Sequence, residues 1–458
     1  MQYLTIWDLV LTPVYLLPLI YIAKRYRDKN LPVGSPLRKY YLPGLYLKFG
    51  GAIFIGLIYQ FYYNGGDTFN YLYHAQVINS ALDDSVLTWF DLLLRRSPDL
   101  NPSVYQYSSQ MFWYADPPSY TVGAIAAVLG IFNGTTYMPI ALLFAFISYS
   151  GIWAMYRTFV KLYPSLHKPL AIAFLYIPST FVWGSSIFKD TICMFSLGWM
   201  TYCTFRIVID RKFSARNFFL LALSFYLLVV IKVYIILAFL PALSLWLLMT
   251  HSKKISSVGL RWVVNIFLIG ITVGGLAFFA QRYASELNEY SLENIGKKAK
   301  KTQEWITHVS EAQEGSVYNI GTLDGTVGGM LSKFPQAVNV TLYRPYLWES
   351  RKPIILLSAL EATAFLVLTL MVFYRRGIGN TFRQIFRDPN LLFFFIFTLI
   401  FAFAVGISTG NFGSLSRYKI PCMPFFASLL LILYYQYKPS AKTAKPILHE
   451  KKPLPRLA

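Results

Sequence analysis

Asp67 stands in the stretch Asn64-Gly65-Gly66-Asp67-Thr68-Phe69-Asn70-Tyr71-Leu72-Tyr73-His74, just past the end of an apolar run. A Gly-Gly pair lets the backbone turn sharply, so the carboxylate can point at whatever lies above the membrane. If a helix begins after Gly66, then Asp67, Tyr71 and His74 at i, i+4 and i+7 share one face. A carboxylate, an aromatic ring and an imidazole in line can bind a sugar, and the carboxylate can take a proton from its hydroxyl. The simpler use of the same position is an N-cap, with Tyr71 and His74 at the lipid interface; the two uses do not exclude each other.

A second acid, Asp190, ends the segment Pro178-Ser179-Thr180-Phe181-Val182-Trp183-Gly184-Ser185-Ser186-Ile187-Phe188-Lys189-Asp190. Apolar spans flank it with almost no loop between, which holds Lys189 and Asp190 near the membrane surface on the side of Asp67. They read as an ion or phosphate site, or as a snorkelling lysine beside a helix-capping aspartate. Asp67 and Asp190 are also the candidate ligands for a divalent cation. Lys232 interrupts a long apolar run and marks either the turn of a hairpin or a polar cavity. With Arg282, Arg344, Arg417 and Lys419 it puts several cations on the face bearing Asp67, the groups that phosphate binding needs; singly, each also serves as a headgroup anchor. Glu361 lies inside an apolar span and by default faces the bundle interior.

Positioning these groups falls to helices that cross a membrane. Of 458 residues 55% are hydrophobic, and apolar runs of about 20 residues recur, the length a ~30 Å hydrocarbon core requires. The net charge of +21 sits in short segments between those runs, so it signals topology and attraction to anionic lipids; no nucleic-acid partner is expected. With the basic clusters inside, the sequence predicts an all-α protein of about 11 transmembrane helices, N-terminus outside and C-terminus inside. The expected spans are 3–23, 43–62, 138–157, 169–187, 191–209, 217–232, 234–250, 260–281, 353–374, 390–408 and 419–436, the first read as a retained span. Residues 119–133 are short for a crossing and read as re-entrant or interfacial. Two outer loops result. Residues 63–137 are expected to form amphipathic surface helices, with Asp91 and Arg95 paired at i,i+4, and residues 282–352 a small cap. Residues 1–437 read as one transmembrane domain and 438–458 as a basic disordered tail. Cys193, Cys203 and Cys422 have no metal-ligand spacing and read as small core residues.

The order and sidedness of these motifs resemble the GT-C superfamily of membrane glycosyltransferases. Asp67 in its Gly-Gly-Asp-Thr-Phe-Asn-Tyr stretch matches the acid of the family's first outer loop. Asp116-Pro117-Pro118-Ser119-Tyr120 resembles the proline-led segment after that loop, and Pro178 to Asp190 the helix that delivers a second acid. Arg417-Tyr418-Lys419-Ile420-Pro421-Cys422-Met423-Pro424 resembles the pattern opening a late helix. Asp67 stands alone where many members pair two acids, and its loop follows a second span instead of the first. The resemblance implies a polyprenyl-phosphate sugar as donor and a glycan, lipid or protein hydroxyl as acceptor. Asp67 would be the general base of an inverting transfer, with Asp190 as second acid, and Lys189, Lys232, Arg344 and Arg417 would stabilise the leaving phosphate. The expected location is a bacterial inner (plasma) membrane. Gly410 to Gly413 with Arg417, and Asp67 followed by Tyr71, are shared in outline with membrane polysaccharide polymerases, and a transporter or flippase is the reading from another class. A transporter calls for an internal repeat and broken helices, and the sequence points to neither.

Overall fold

The computed structural model describes residues 3–97, 102–252, 295–312, 316–321, 326–350 and 352–436. Among them the regular structure is helical. In chain order it comprises α1 (Ile6–Asn30), α2 (Arg38–Phe61), α3 (Asp67–Ser80), α4 (Val86–Leu93), α5 (Tyr105–Ser108), α6 (Pro117–Gly130), α7 (Tyr137–Leu162), α8 (His167–Leu175), α9 (Pro178–Trp183), α10 (Lys189–Val208) and α11 (Ala215–Ser252). After these come α12 (Ile295–Ala312), α13 (Val327–Ser332), α14 (Phe334–Tyr343), α15 (Pro353–Arg376), α16 (Ile378–Arg387), α17 (Pro389–Ser408), α18 (Phe412–Tyr418) and α19 (Met423–Tyr435).

Six of these helices, α1, α2, α7, α11, α15 and α17, are long and apolar enough to cross a membrane; α18 and α19, bent by 71°, make a seventh if they form one span. The expected count of about 11 differs for physical reasons. Segment 169–187 is broken into α8 and α9 at Tyr176 and Ile177, where Pro178 restarts the helix. The expected spans 217–232 and 234–250 are the two arms of α11, on either side of the non-helical Lys232, and 260–281 lies outside the described residues, as do Arg282 and the tail.

Two ends of the bundle are distinct. At one, Gln60 accepts from the backbone N–H groups of Tyr3 and Leu4, and Asp8 from that of Met138, joining α1, α2 and α7. Asp67 follows α2 at this end. At the other end the basic segments meet: Arg38 pairs with Asp28, Lys161 and Arg206 with Asp210, and Arg376 bonds Gln384. The sequence-level separation of Asp67 from the basic clusters therefore holds in three dimensions.

α7 and α10 run side by side so closely that a Cβ on Gly198 would collide with the Gly151 backbone. Gly151 facing Gly198 and Phe159 facing Phe205 give a parallel register. That register places Asp190 opposite the second turn of α7, about 9 Å in from its first residue. α11 folds back on itself. Arg216, near its start, acts on Cys203, and Trp246, near its end, stacks on Phe205 with centroids 4.4 Å apart, so both ends reach one turn of α10. A straight helix would separate residues 216 and 246 by about 45 Å. The reversal falls at Lys232, whose φ and ψ of −150° and 77° are not helical.

The segment expected as the first outer loop holds α3 to α6. α6, at 14 residues, is too short to span and packs along α3. Asp91 pairs with Arg96 and not, as expected, with Arg95, because α4 ends at Leu93 and Arg95 turns to a φ of 52°. In the second expected loop, α14 docks on α17 through Thr341, whose hydroxyl donates to the Ala402 carbonyl. The three cysteines are free and buried, as expected of core residues.

Candidate functional site

α3 begins at Asp67 because Gly65 and Gly66, with φ of 135° and 124°, supply a turn that side-chain-bearing residues rarely adopt. Gly66 is the N-cap, so Asp67 is the first helical residue and its carboxylate is not spent on capping. A hydrogen-bond chain then fixes the approach: Thr68 to the Tyr137 hydroxyl at 2.8 Å, and that hydroxyl to Ser186 at 2.7 Å. It ties α3, the start of α7 and the link into α10 together, and so brings Asp67 towards Asp190.

Between the two acids lies the guanidinium of Arg417. Its Nη1 is 2.9 Å from Asp67 Oδ2, and its Nε donates to Asp190 Oδ2 at 3.0 Å. The other Asp190 oxygen, Oδ1, accepts from Lys232 Nζ at 2.5 Å. Lys189 Nζ lies 3.6 Å from Asp116 Oδ2, and Asp116 in turn N-caps α6 by accepting from the Ser119 N–H. Aromatic rings line the cluster: Lys232 Nζ is 4.3 Å from the Tyr418 centroid, Arg417 lies over Phe188 at 4.8 Å, and Tyr59 packs on Phe188 with centroids 5.5 Å apart. Three carboxylates thus meet three cations, the balance that burial demands. The acids differ in access. The Asp190 side chain is 0% exposed and that of Asp67 is 42% exposed.

The helix break that delivers Asp190 is itself held by charges. Lys48, buried in α2, donates to the Gly184 carbonyl at 2.6 Å, the Thr180 carbonyl at 3.2 Å and Ser148 Oγ at 3.4 Å. Glu361 accepts from the N–H and the hydroxyl of Ser179, each at 2.7 Å. A carboxylate at the start of α9 and an ammonium at its end match the helix dipole and satisfy groups that the break leaves open. The interior position expected for Glu361 now has its partner. Lys48, Asp8 and the pairing of Asp116 were missed; a charge inside the apolar runs 43–62 and 3–23 was the signal for the first two.

The remaining expected residues divide. Tyr71 is buried against Trp113, its phenol pushed up by burial and by the Asp67 carboxylate. His74 is also buried, between Phe112, Trp113 and Gly123; neither ring nitrogen has a hydrogen-bond partner among the described residues, and burial pulls its pKa down to about 4. Arg344 spends its fork on Glu349, with Nε 3.1 and 3.0 Å from the two oxygens, so it is not paired with either site acid; it lies over Phe412, which opens α18. Lys419 is buried at the bend between α18 and α19, forms no ion pair with Asp67 or Asp190, and its ammonium has no hydrogen-bond partner among the described residues.

The space a divalent cation would take between Asp67 and Asp190 is filled by Arg417, so these donors do not fit a metal, and no cluster of three metal-ligating side chains exists among the described residues. No protein-family model, curated protein or solved structure matches the chain.

Proposed function

We propose that the protein is a polytopic membrane glycosyltransferase that moves a sugar from a polyprenyl phosphate to an acceptor hydroxyl, with inversion. The observation that carries this reading is the shared guanidinium: Asp67 and Asp190, from segments far apart in the chain, both hold Arg417, and only Asp67 is open to an acceptor. Asp190 and Lys232 hold Arg417 from below, which makes Asp190 a positioning residue. A lipid phosphate arriving at Arg417 and Lys189 competes with Asp67 for the Arg417 Nη1 donor and releases the carboxylate. Asp67 then accepts the acceptor's hydroxyl proton while the oxygen forms its bond to the anomeric carbon. The bond from that carbon to the phosphate oxygen breaks, and the phosphate leaves with the electron pair towards the cations. No metal enters these steps. The reading carries with it about 11 crossings, α11 counting as a hairpin of two, and places the Asp67 end outside, in a bacterial inner membrane.

A second reading has an observation of its own. Broken helices do surround the cluster: the reversal at Lys232, which the sequence expectation included, and the α8–α9 interruption and the 71° bend between α18 and α19, which it did not. Interrupted helices around buried charges are a transporter's binding-site device. One experiment separates the two. In proteoliposomes given polyprenyl-phosphate sugar and candidate acceptors, Asp67→Asn should lower transfer by roughly 10² to 10⁴ while the folded protein still binds donor. Transfer at the wild-type rate would refute the proposal, and donor translocation without any transfer would favour the transporter.

A further inference from the structure

At the opposite end of the bundle, Arg157 and Lys161 stand one turn apart on α7, and Tyr202 and Arg206 one turn apart on α10, with Asp210 a turn beyond. These facing stripes line a half-open cavity of about 200 Å³. Both guanidinium groups lie over the ring of Tyr202, with Arg157 at 5.0 Å and Arg206 at 5.7 Å from its centroid. Asp210 is the one acid lining the cavity, and it is already engaged: one oxygen takes Lys161 and the other Arg206 Nη1 at 2.8 Å. Arg157 makes no ion pair among the described residues, and the Nε groups of both arginines are buried without an acceptor.

We infer that this cavity binds the phosphate group of an anionic membrane lipid. Three cations against one carboxylate leave an excess of two that an incoming anion balances, and the unpaired Nε groups mark guanidiniums that the fold itself leaves incompletely satisfied. Guanidinium forks suit the tetrahedral oxygens of a phosphate, and the stacked Tyr202 ring holds both forks in place. Size narrows the ligand. The cavity is smaller than the roughly 300–1,000 Å³ of pockets that enclose whole drug-sized molecules, which suits a headgroup phosphate whose remaining lipid stays outside. Leu162, Phe205 and the 40% exposed Ile209 form an apolar wall beside the charges, matching a phosphate that carries a hydrocarbon tail over a free anion. The place is also right, since basic residues at the ends of spans meet the anionic headgroup layer. This site is independent of the chemistry at Asp67.

Native mass spectrometry of the purified full-length chain, titrated with phosphatidylglycerol, phosphatidylcholine or inorganic phosphate, tests the inference. One phosphatidylglycerol should bind more tightly than phosphatidylcholine, and Arg157→Gln should weaken it about 10- to 150-fold, the loss expected for one charged hydrogen bond. Arg206→Gln should act likewise, but it also breaks the Asp210 pair; Arg157→Gln, which breaks no ion pair, therefore decides. Arg157→Lys should recover part of the affinity, and Arg383→Gln, an exposed arginine of the same end, should leave it unchanged. Inorganic phosphate displacing the lipid at equal concentration would overturn the lipid source. Unchanged affinity in Arg157→Gln, or equal binding of the two lipids, would overturn the site.

Discussion

The two ends of the bundle handle positive charge in opposite ways. At the Asp67 end, Lys189, Lys232 and Arg417 each face a carboxylate, and Asp190 is shared by two of them. At the other end, where α7 and α10 finish, one acid, Asp210, serves both Lys161 and Arg206, while Arg157 has none among the described residues. Depth explains the difference. The side chains of Lys232 and Arg417 are only 7% and 10% exposed, so each must bring its resting counter-charge within the fold. Cations at the end of a span can leave theirs to solvent and lipid. The excess of basic residues is thus a property of one end, and the balanced cluster is the unusual feature of the other.

The sharpest way to break that contrast is to remove the buried acid. Asp190→Asn leaves Lys232 and Arg417 both enclosed with one carboxylate fewer, and unpairing a buried charge typically costs about 3–5 kcal/mol. Asp67→Asn removes a partly exposed acid, and exposed ion pairs contribute only about 0–1 kcal/mol. Denaturant unfolding in detergent should therefore show a large loss for Asp190→Asn and little for Asp67→Asn. Equal losses would mean that the two acids do the same work, and the division into an open base and a closed positioning residue would fall.

A smaller effect should separate charge from shape at Arg417. Arg417→Lys keeps the cation but loses the planar fork that holds Asp190 on one donor and Asp67 or the displacing phosphate on another. Donor binding should weaken by the roughly 1.5–3 kcal/mol of one charged hydrogen bond, about 10- to 150-fold. Arg383→Ala, exposed at the basic end, is the control. Equal donor affinity in the two variants would remove Arg417 from donor binding and leave it a structural clamp.

What the sequence made legible was position along the helices. Asp67 at the first turn of a helix, Lys232 at a reversal, Asp190 at the mouth of α10 and the separation of basic segments all follow from apolar runs, glycines and isolated charges. Partnership was not legible. Asp67 and Arg417 are 350 positions apart, and no local rule pairs them. Arg344 and Arg417 look alike in sequence, yet Glu349, five residues on, takes the fork of the first. The same limit hid the break between α8 and α9. Segment 169–187 is apolar throughout, and only Lys48 and Glu361, from two other helices, make its interruption affordable in the bundle. The α8–α9 break and the bend between α18 and α19 are therefore what the sequence left hidden, and with the reversal at Lys232 they give the transporter reading its weight.

The mildest test concerns His74, which shares the face of α3 with Asp67 but lies buried among aromatic rings. Burial lowers its pKa in the folded protein to about 4, from 6.5 when solvated. Between those values the unfolded chain binds a proton that the folded chain refuses, so the stability His74 permits is complete above about pH 6.5 and falls as pH drops towards 4. At pH 5.5 the loss corresponds to roughly one pKa unit, on the order of 1 kcal/mol after allowance for solvent screening. His74→Phe keeps the ring packing on Trp113 and Phe112 and has nothing to protonate. Unfolding midpoints of the two proteins should thus diverge between pH 7 and 5.5, with the wild type losing more. Parallel curves would show that the imidazole reaches water or a polar partner, and would return His74 to the set of side chains able to meet a sugar.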